Sequence, residues 1–214
     1  DYACMKAPDS LKAHPLLRDW IDLSQQGLVL VHSGKAEIGQ GIHFALSSIV
    51  GDILDIPLDR INVRGPDTDQ GPDEGLTAGS LSVQQGVTAL AYVAANLKSC
   101  LFDAASRRLS VPVAKLSSCD GVIKSRDGRK ISYWELTEEV SDAKVGKCLP
   151  SWADLKTYDY KSERRSEINA IVRGDTHFLH DLVWPDMLHA RVVRPRNILS
   201  HLITLDVDAI TVLP

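Results

Sequence analysis

The 214-residue chain is 44% hydrophobic, 24% charged and 6% aromatic, and its 24 Lys and Arg against 28 Asp and Glu leave a formal net charge of −4. Those proportions describe a chain of one or two globular domains, and the lack of any long basic run argues against a dedicated nucleic-acid binder. Gly, Lys, Asp or Ser interrupts every apolar run short of the roughly 18 residues that cross a bilayer, so no membrane span is expected.

The chain opens on Asp1 without a tripartite signal pattern, and a processed product or cut piece is expected. Cys4, Cys100, Cys119 and Cys148 match neither zinc nor iron–sulfur spacing, so structural thiols are expected. Residues 1–26, with Pro8 and Pro15 and a candidate short helix over 16–23, read as an N-terminal arm. The regular pattern begins at Gly27: residues 27–32 (GLVLVH) read as a strand, Ser33-Gly34 as a turn, and 35–38 as a candidate extended continuation.

From Gly41 the period changes. Ile42, Ala45, Leu46, Ile49, Val50 and Ile53 form one stripe of an amphipathic helix that stops before Pro57. Residues 60–63 alternate as a short strand, and a loop rich in Gly, Asp and Pro covers 65–75. A second helix is expected from Ser82 to Leu109, at about 1.5 Å per residue the long spine of the domain.

Asp120-Gly121 and Asp127-Gly128 mark turns between small strands over 114–131, and Ser132 with Glu135 has capping-box spacing before a short helix. Periodicity lapses and charge rises over 144–165, placing a boundary near Trp152. Beyond it, residues 168–172, 188–193 and 201–206 read as strands, ending at Pro214 as though truncated. Trp134, Trp152 and Trp184 are expected to be hydrophobic anchors. His177 and His180 have no third ligand nearby and no metal is expected there.

Two segments share one design, a small-residue turn opening into a helix: Gly39-Gln40-Gly41 before Ile42, and Thr77-Ala78-Gly79-Ser80-Leu81-Ser82 before Val83. A helix start carries unpaired amide donors and about half a unit of positive charge, so glycines that admit a ligand make it an anion site. The hydroxyls of Thr77, Ser80 and Ser82 and the amide of Gln40 add uncharged donors. Each segment alone also fits ordinary turn chemistry, with Ser82 as a simple N-cap. Asp67, Asp69, Asp73 and Glu74 crowd the intervening loop and must point away or be hydrogen-bonded if an anion is to bind. Glu37 is expected to be structural, and His43 fits either cofactor proximity or solvated surface.

The run from Gly34 to His43 (GKAEIGQGIH) and its helix, then Pro57-Leu58-Asp59-Arg60-Ile61-Asn62-Val63, Asp67-Thr68 and residues 77–82 (TAGSLS), resemble the molybdopterin-binding region of the xanthine dehydrogenase and aldehyde oxidase family. The order agrees over about a hundred residues, far more specific than a lone GQG. Val172-Arg173-Gly174, Phe178 to Asp181 and Trp184 to Pro195 are similar to the opening of that family's α/β hammerhead domain, with Asp186 where the pattern has Gly. Asp tolerates the left-handed backbone that such a turn requires. The cofactor-binding segment precedes the hammerhead here, as in the large subunits of isoquinoline 1-oxidoreductase-like and nicotinate dehydrogenase-like bacterial enzymes.

The resemblance implies an α+β fold: a molybdopterin-binding segment over 27–151 with long helices on a small mixed sheet, then a linker and the beginning of an incomplete hammerhead over 152–214. It implies that Gly39, Gln40, Gly41, Thr77, Gly79, Ser80 and Ser82 contact the cofactor, for which the cytosine dinucleotide form is one candidate. The family's catalytic Glu lies in a Gly-x-Gly-Glu segment that this chain lacks, so no catalytic residue is expected and the chain alone should be inactive. It further implies a molybdenum-dependent oxidoreductase of aldehydes or N-heteroaromatic compounds with oxygen from water. The remaining large-subunit part or a second molybdenum-binding chain, and a [2Fe-2S] subunit, would be partners. The competing expectation is a non-catalytic assembly domain that keeps the fold without the cofactor.

Overall fold

A computed structural model describes residues 7–146, 168–176, 178 and 181–207. Its first element, α1 (Ser10–Ala13), leads into a 3-10 turn, Leu17–Asp19, and a short strand, β1 (Ile21–Asp22). Leu11, Leu17, Trp20, Ile21 and Leu23 are buried, so the stretch expected as an arm contributes to the core. The helix expected over 16–23 is replaced by that 3-10 turn and strand because β1 pairs with β2 (Val29–His32) in antiparallel register, Ile21 opposite Val31. Cross-strand pairing there outweighs a weak local helical preference.

Residues 33–38 carry no strand, although Val29, Val31, Ser33 and Lys35 keep the alternating inward face of β2. The helix α2 (Ile42–Leu54) buries the stripe read from the sequence, with Leu46 and Val50 fully enclosed. It ends at Asp55 in the left-handed conformation, before Pro57 is reached. There Ile56 donates its N–H to Gly51 O at 3.0 Å, an approach that a Cβ on Gly51, 2.9 Å from Ile56 O, would obstruct. A 3-10 turn, Leu58–Arg60, then delivers β3 (Ile61–Arg64) parallel to β2, with Val29 opposite Ile61. β2, α2 and β3 thus form one β-α-β crossover.

The second helix begins as a π-helix, Ser82–Val87, and continues as α3 (Thr88–Leu109). Its buried face, including Leu90, Ala94, Leu97, Leu101 and Ala105, packs on α2 and on the second sheet. Directions are fixed by two contacts: Leu46 lies 3.8 Å from where a Cβ on Gly86 would stand, and Lys98 Nζ bonds Asp55 Oδ2 at 2.6 Å. The two helices therefore run parallel and start at the same end of the domain.

A 3-10 turn, Val113–Lys115, leads to an antiparallel meander of β4 (Leu116–Cys119), β5 (Val122–Ser125) and β6 (Lys130–Ser132). Ser132 and Glu135 form the capping box, with Ser132 N–H donating to Glu135 Oε2 at 2.8 Å and Glu135 N–H to Ser132 Oγ at 3.3 Å. A 3-10 turn, Trp134–Leu136, follows and passes into α4 (Thr137–Val140). The meander is fastened to the first half of the domain by Tyr133 OH, which donates to Leu54 O at 2.9 Å, and by Trp134 Nε1, which donates to Leu28 O at 2.8 Å.

The expected boundary near Trp152, together with Trp152, His177 and His180, lies outside the described residues. Residues 168–173 form a helix, α5 (Ile168–Arg173), where a strand was expected. No strand forms over 188–193 or 201–206. Leu188, Val192, Val193 and Ile203 are exposed, and a β-strand without a hydrogen-bonded neighbour has nothing to hold it. Trp184 is likewise exposed, whereas Trp134 is buried as expected. Asp186 does adopt the left-handed backbone, with φ 61°. Cys4 and Cys148 lie outside the described residues; Cys100 packs half-buried against the core, while Cys119 is exposed.

No helix among the described residues is long and apolar enough to cross a membrane.

Candidate cofactor site at two helix starts

The segment following β2 is the spine of the site. Ser33 is buried, and its Oγ donates to Glu74 Oε2 at 2.7 Å while Gly34 N–H donates to the same oxygen at 2.8 Å. Lys35 Nζ donates to the carbonyl oxygens of Glu74 at 2.7 Å and Leu76 at 3.3 Å. Ala36 N–H donates to Thr77 Oγ1 at 2.9 Å. Residues 33–36 are thereby laced to residues 74–77 without a regular ladder. Gly34 is needed at this seam, because a Cβ would stand 2.7 Å from Pro72 O and 2.8 Å from Glu74 N.

The first helix start is capped by its own chain. Glu37 accepts from Gly39 N–H at 2.8 Å and Gly41 N–H at 2.9 Å on one oxygen, and from His43 N–H at 3.2 Å on the other. Partial burial pushes the Glu37 carboxyl up, but the bonds from Gly41, His43 and Gly39 outweigh it and hold it below the usual glutamate range. Gln40 is also occupied: its Nε2 donates to Ala36 O at 2.8 Å and its Oε1 accepts from Ile38 N–H at 2.7 Å. The expectation of main-chain donors aimed outward from Gly39 and Gly41 is corrected by this geometry, since a carboxylate already fills that concavity. Gly39 and Gly41 keep left-handed backbones, φ 95° and 81°, and a Cβ on Gly39 would meet nothing within 4 Å.

The second start is different. Leu81 N–H donates to Ala78 O at 3.3 Å across Gly79 and Ser80, whose φ values of 65° and 57° make a type I′ turn. Ser82 follows as the first residue of the π-helix, and no side chain caps this end. The opening N–H groups of a helix lack intrahelical partners. Ser82 is therefore not the N-cap that ordinary turn chemistry suggests. π-helical turns are rare, and those inside α-helices frequently fall at functional sites.

Parallel helices and the Ala36–Thr77 bond place these two starts at the same end of the domain, the turn of Gly39, Gln40 and Gly41 in one and Thr77, Gly79, Ser80 and Ser82 in the other. The apolar residues Ile38, Leu76, Leu81 and Val83 within and beside these segments are exposed. Three of the four crowding carboxylates are held by local bonds or burial: Asp67 accepts from Asp69 and Gln70 N–H, Asp73 from Gly75 N–H, and Glu74 is buried, while Asp69 is exposed. His43 is half-buried, its ring 3.5 Å from where a Cβ on Gly65 would stand. Its Nε2 is enclosed and has no protein partner.

Among the described residues, no group of three or more His, Cys, Asp or Glu side chains is arranged to hold a metal ion. The donor set is instead uncharged and directional, hydroxyls and main-chain N–H beside open glycines, and it suits the phosphate and heterocyclic parts of a pterin cofactor. Lys35 and Glu74 beneath the loop, and Glu37 within the first turn, shape the site through hydrogen bonds whose partners local sequence pattern does not single out. The alternation of Val29, Val31, Ser33 and Lys35 is the signal that points to Lys35. Glu37, two and four residues before the glycines, is the signal for the cap.

The chain belongs to the family of molybdopterin cofactor-binding domains, whose family model matches residues 3–168. A nicotinate dehydrogenase subunit of Pseudomonas putida is 30% identical over 181 residues, covering 82% of this chain and 15% of that protein. The beta subunit of isoquinoline 1-oxidoreductase from Brevundimonas diminuta is 30% identical over 129 residues, covering 56% of this chain and 16% of its own length. The chain thus spans less than a fifth of these relatives. A solved structure of reconstituted CO dehydrogenase from Oligotropha carboxidovorans aligns with TM-score 0.47 and 24% identity, over 55% of this chain and 15% of that one.

Proposed function

We propose that this chain forms part of the large subunit of a molybdenum hydroxylase and holds the phosphate end of molybdopterin at the uncapped start of the long helix. The observation that carries the reading is the pairing of two parallel helix starts, one sealed by Glu37 and one open at Ser82. Main-chain N–H groups of the opening turn and the hydroxyls of Thr77, Ser80 and Ser82 would bind the phosphates, with Gly79 admitting them closely. The Gly39-Gln40-Gly41 turn, rigid because Glu37 and Gln40 are internally bonded, would form the facing wall.

When bound, the molybdenum and its dithiolene supply the oxidative chemistry, and the protein's share is binding and orientation. The cytosine dinucleotide form suits a site that offers donors to more than one phosphate. The complete enzyme would oxidise an N-heteroaromatic compound, a class the names of the nicotinate dehydrogenase and isoquinoline 1-oxidoreductase relatives support, or an aldehyde; oxygen would come from water and electrons would leave through [2Fe-2S] clusters on a partner. Residues 152–214 would be the linker and beginning of the hammerhead, as the left-handed Asp186 supports. The remainder of the molybdenum-binding assembly would supply the catalytic base, leaving this chain inactive alone.

The test is the molybdenum and pterin content of the protein purified with its neighbouring subunits. Ser82→Ala and Thr77→Val should each lower occupancy severalfold. Full occupancy in both would show that these hydroxyls do not hold the cofactor, and none in the parent protein would instead support the non-catalytic assembly domain.

A further inference from the structure

The surface assigned to the cofactor carries no Lys or Arg over residues 36–43 or 77–87, and the one cation of its framework is underneath. Lys35 is 1% exposed, the one Lys or Arg fully buried among the described residues. Its ammonium is bonded to the carbonyl oxygens of Glu74 and Leu76, which satisfy its protons without cancelling its charge. Its Cγ lies 3.2 Å from where a Cβ on Gly86 would stand, so the stem rests against the first turns of the uncapped helix.

Glu74 faces the same glycine, with Oε1 3.2 Å from that point, enclosed and without a partner. Burial pushes its carboxyl above the usual glutamate range, although the bonds from Ser33 and Gly34 and the nearby ammonium pull the other way. The Glu74 carboxylate spends its hydrogen bonds on Ser33 and Gly34, while the ammonium is held by main-chain carbonyls, so the two groups are neighbours without forming an ion pair. In a poorly screened interior a charge acts over the width of a helix turn.

We infer that Lys35 is the positioning residue for the cofactor's phosphate end: buried beneath Gly86, it fixes the 74–76 carbonyls so that residues 77–82 face the ligand, and supplies positive charge from below, with Glu74 opposing it. This inference rests on the cofactor reading above. It differs from a purely structural role in requiring that Lys35 and Glu74 act with opposite signs on anion affinity.

Titration calorimetry of the full chain with inorganic pyrophosphate tests it, comparing the parent with Lys35→Met, Glu74→Gln and Ser82→Ala. The expected result is about tenfold weaker binding for Lys35→Met, the size of one charge acting at an interior distance of about 10 Å. Glu74→Gln should bind tighter than the parent, and Ser82→Ala weaker. Parent-like affinity in Lys35→Met with weakened binding in Ser82→Ala would overturn the inference and leave the cofactor reading standing. A parent chain that binds no pyrophosphate overturns both. Should Lys35→Met not fold, Glu74→Gln decides, and unchanged or weaker binding in it refutes the electrostatic role.

Discussion

Thr77 and Gln40 grip the two ends of one residue. Thr77 Oγ1 accepts the N–H of Ala36 at 2.9 Å, and Gln40 Nε2 donates to the C=O of Ala36 at 2.8 Å. Both candidate binding segments are thus built on the same few atoms of backbone, and each holds its shape partly because the other is present. Thr77→Val keeps the shape of the side chain and removes the acceptor, and should cost about 1 kcal/mol in thermal unfolding. Gln40→Ala should cost a similar amount, and a double-mutant cycle should show coupling between the two sites. Strict additivity would mean that Ala36 does not link them.

Two glycines of this region should respond oppositely to a methyl group. Gly34→Ala places Cβ against the backbone of Pro72 and Glu74, which cannot move without opening the seam, and should destabilise by about 1–3 kcal/mol. Gly39→Ala meets open space and is opposed only by its φ of 95°, so it should change side-chain packing little while straining the turn. Denaturant unfolding and hydrogen exchange at the amides of residues 34 and 36 separate the cases: these seam amides, bonded to Glu74 and Thr77, should lose protection in Gly34→Ala and retain it in Gly39→Ala.

Glu37 and Glu74 should leave opposite signatures in stability against pH. The Glu37 carboxyl is held below its ordinary value, so its contribution is present above the unfolded value and lost as pH falls through the folded one. The stability gap between the parent and Glu37→Gln should therefore close in acid. The Glu74 carboxyl is held above its ordinary value by burial, so the parent loses stability as pH rises through that raised value. Glu74→Gln should gain on the parent over that rise, and an equal gap at all pH values would show that Glu74 is not buried as described.

Residues 7–26 should be indispensable to folding. Trp20 is fully buried and its Nε1 donates to His14 O at 2.9 Å, while β1 covers one edge of β2. Trp20→Ala should cost about 3–5 kcal/mol in urea unfolding, as expected for a large core side chain. A loss below about 1 kcal/mol, the size of an ordinary surface change, would show that this stretch is a detachable arm after all.

Where periodicity ran long, the elements could be read directly. The α2 stripe, the long helix from Ser82, the β-meander and the Ser132–Glu135 capping box are each set by residues within a few positions of one another, and they stand where local pattern put them. The π-turn at residues 82–87 packs its Gly86 against Lys35, Glu74 and Leu46, three residues distant in sequence, a setting that local pattern does not reveal.

By itself the amino-acid order determined which segments of the first 140 residues form the long helices, where the glycine turns fall and the family to which the chain belongs, because these depend on spacing and on local backbone preference. Tertiary structure alone decided that β1 joins the sheet, that Lys35 and Glu74 are buried together, and that one helix start is sealed while its neighbour is open. The reason is that burial and hydrogen-bond pairing across some forty residues are settled by which surfaces meet, and a carboxylate in a sequence does not announce whether it will face a ligand or its own backbone.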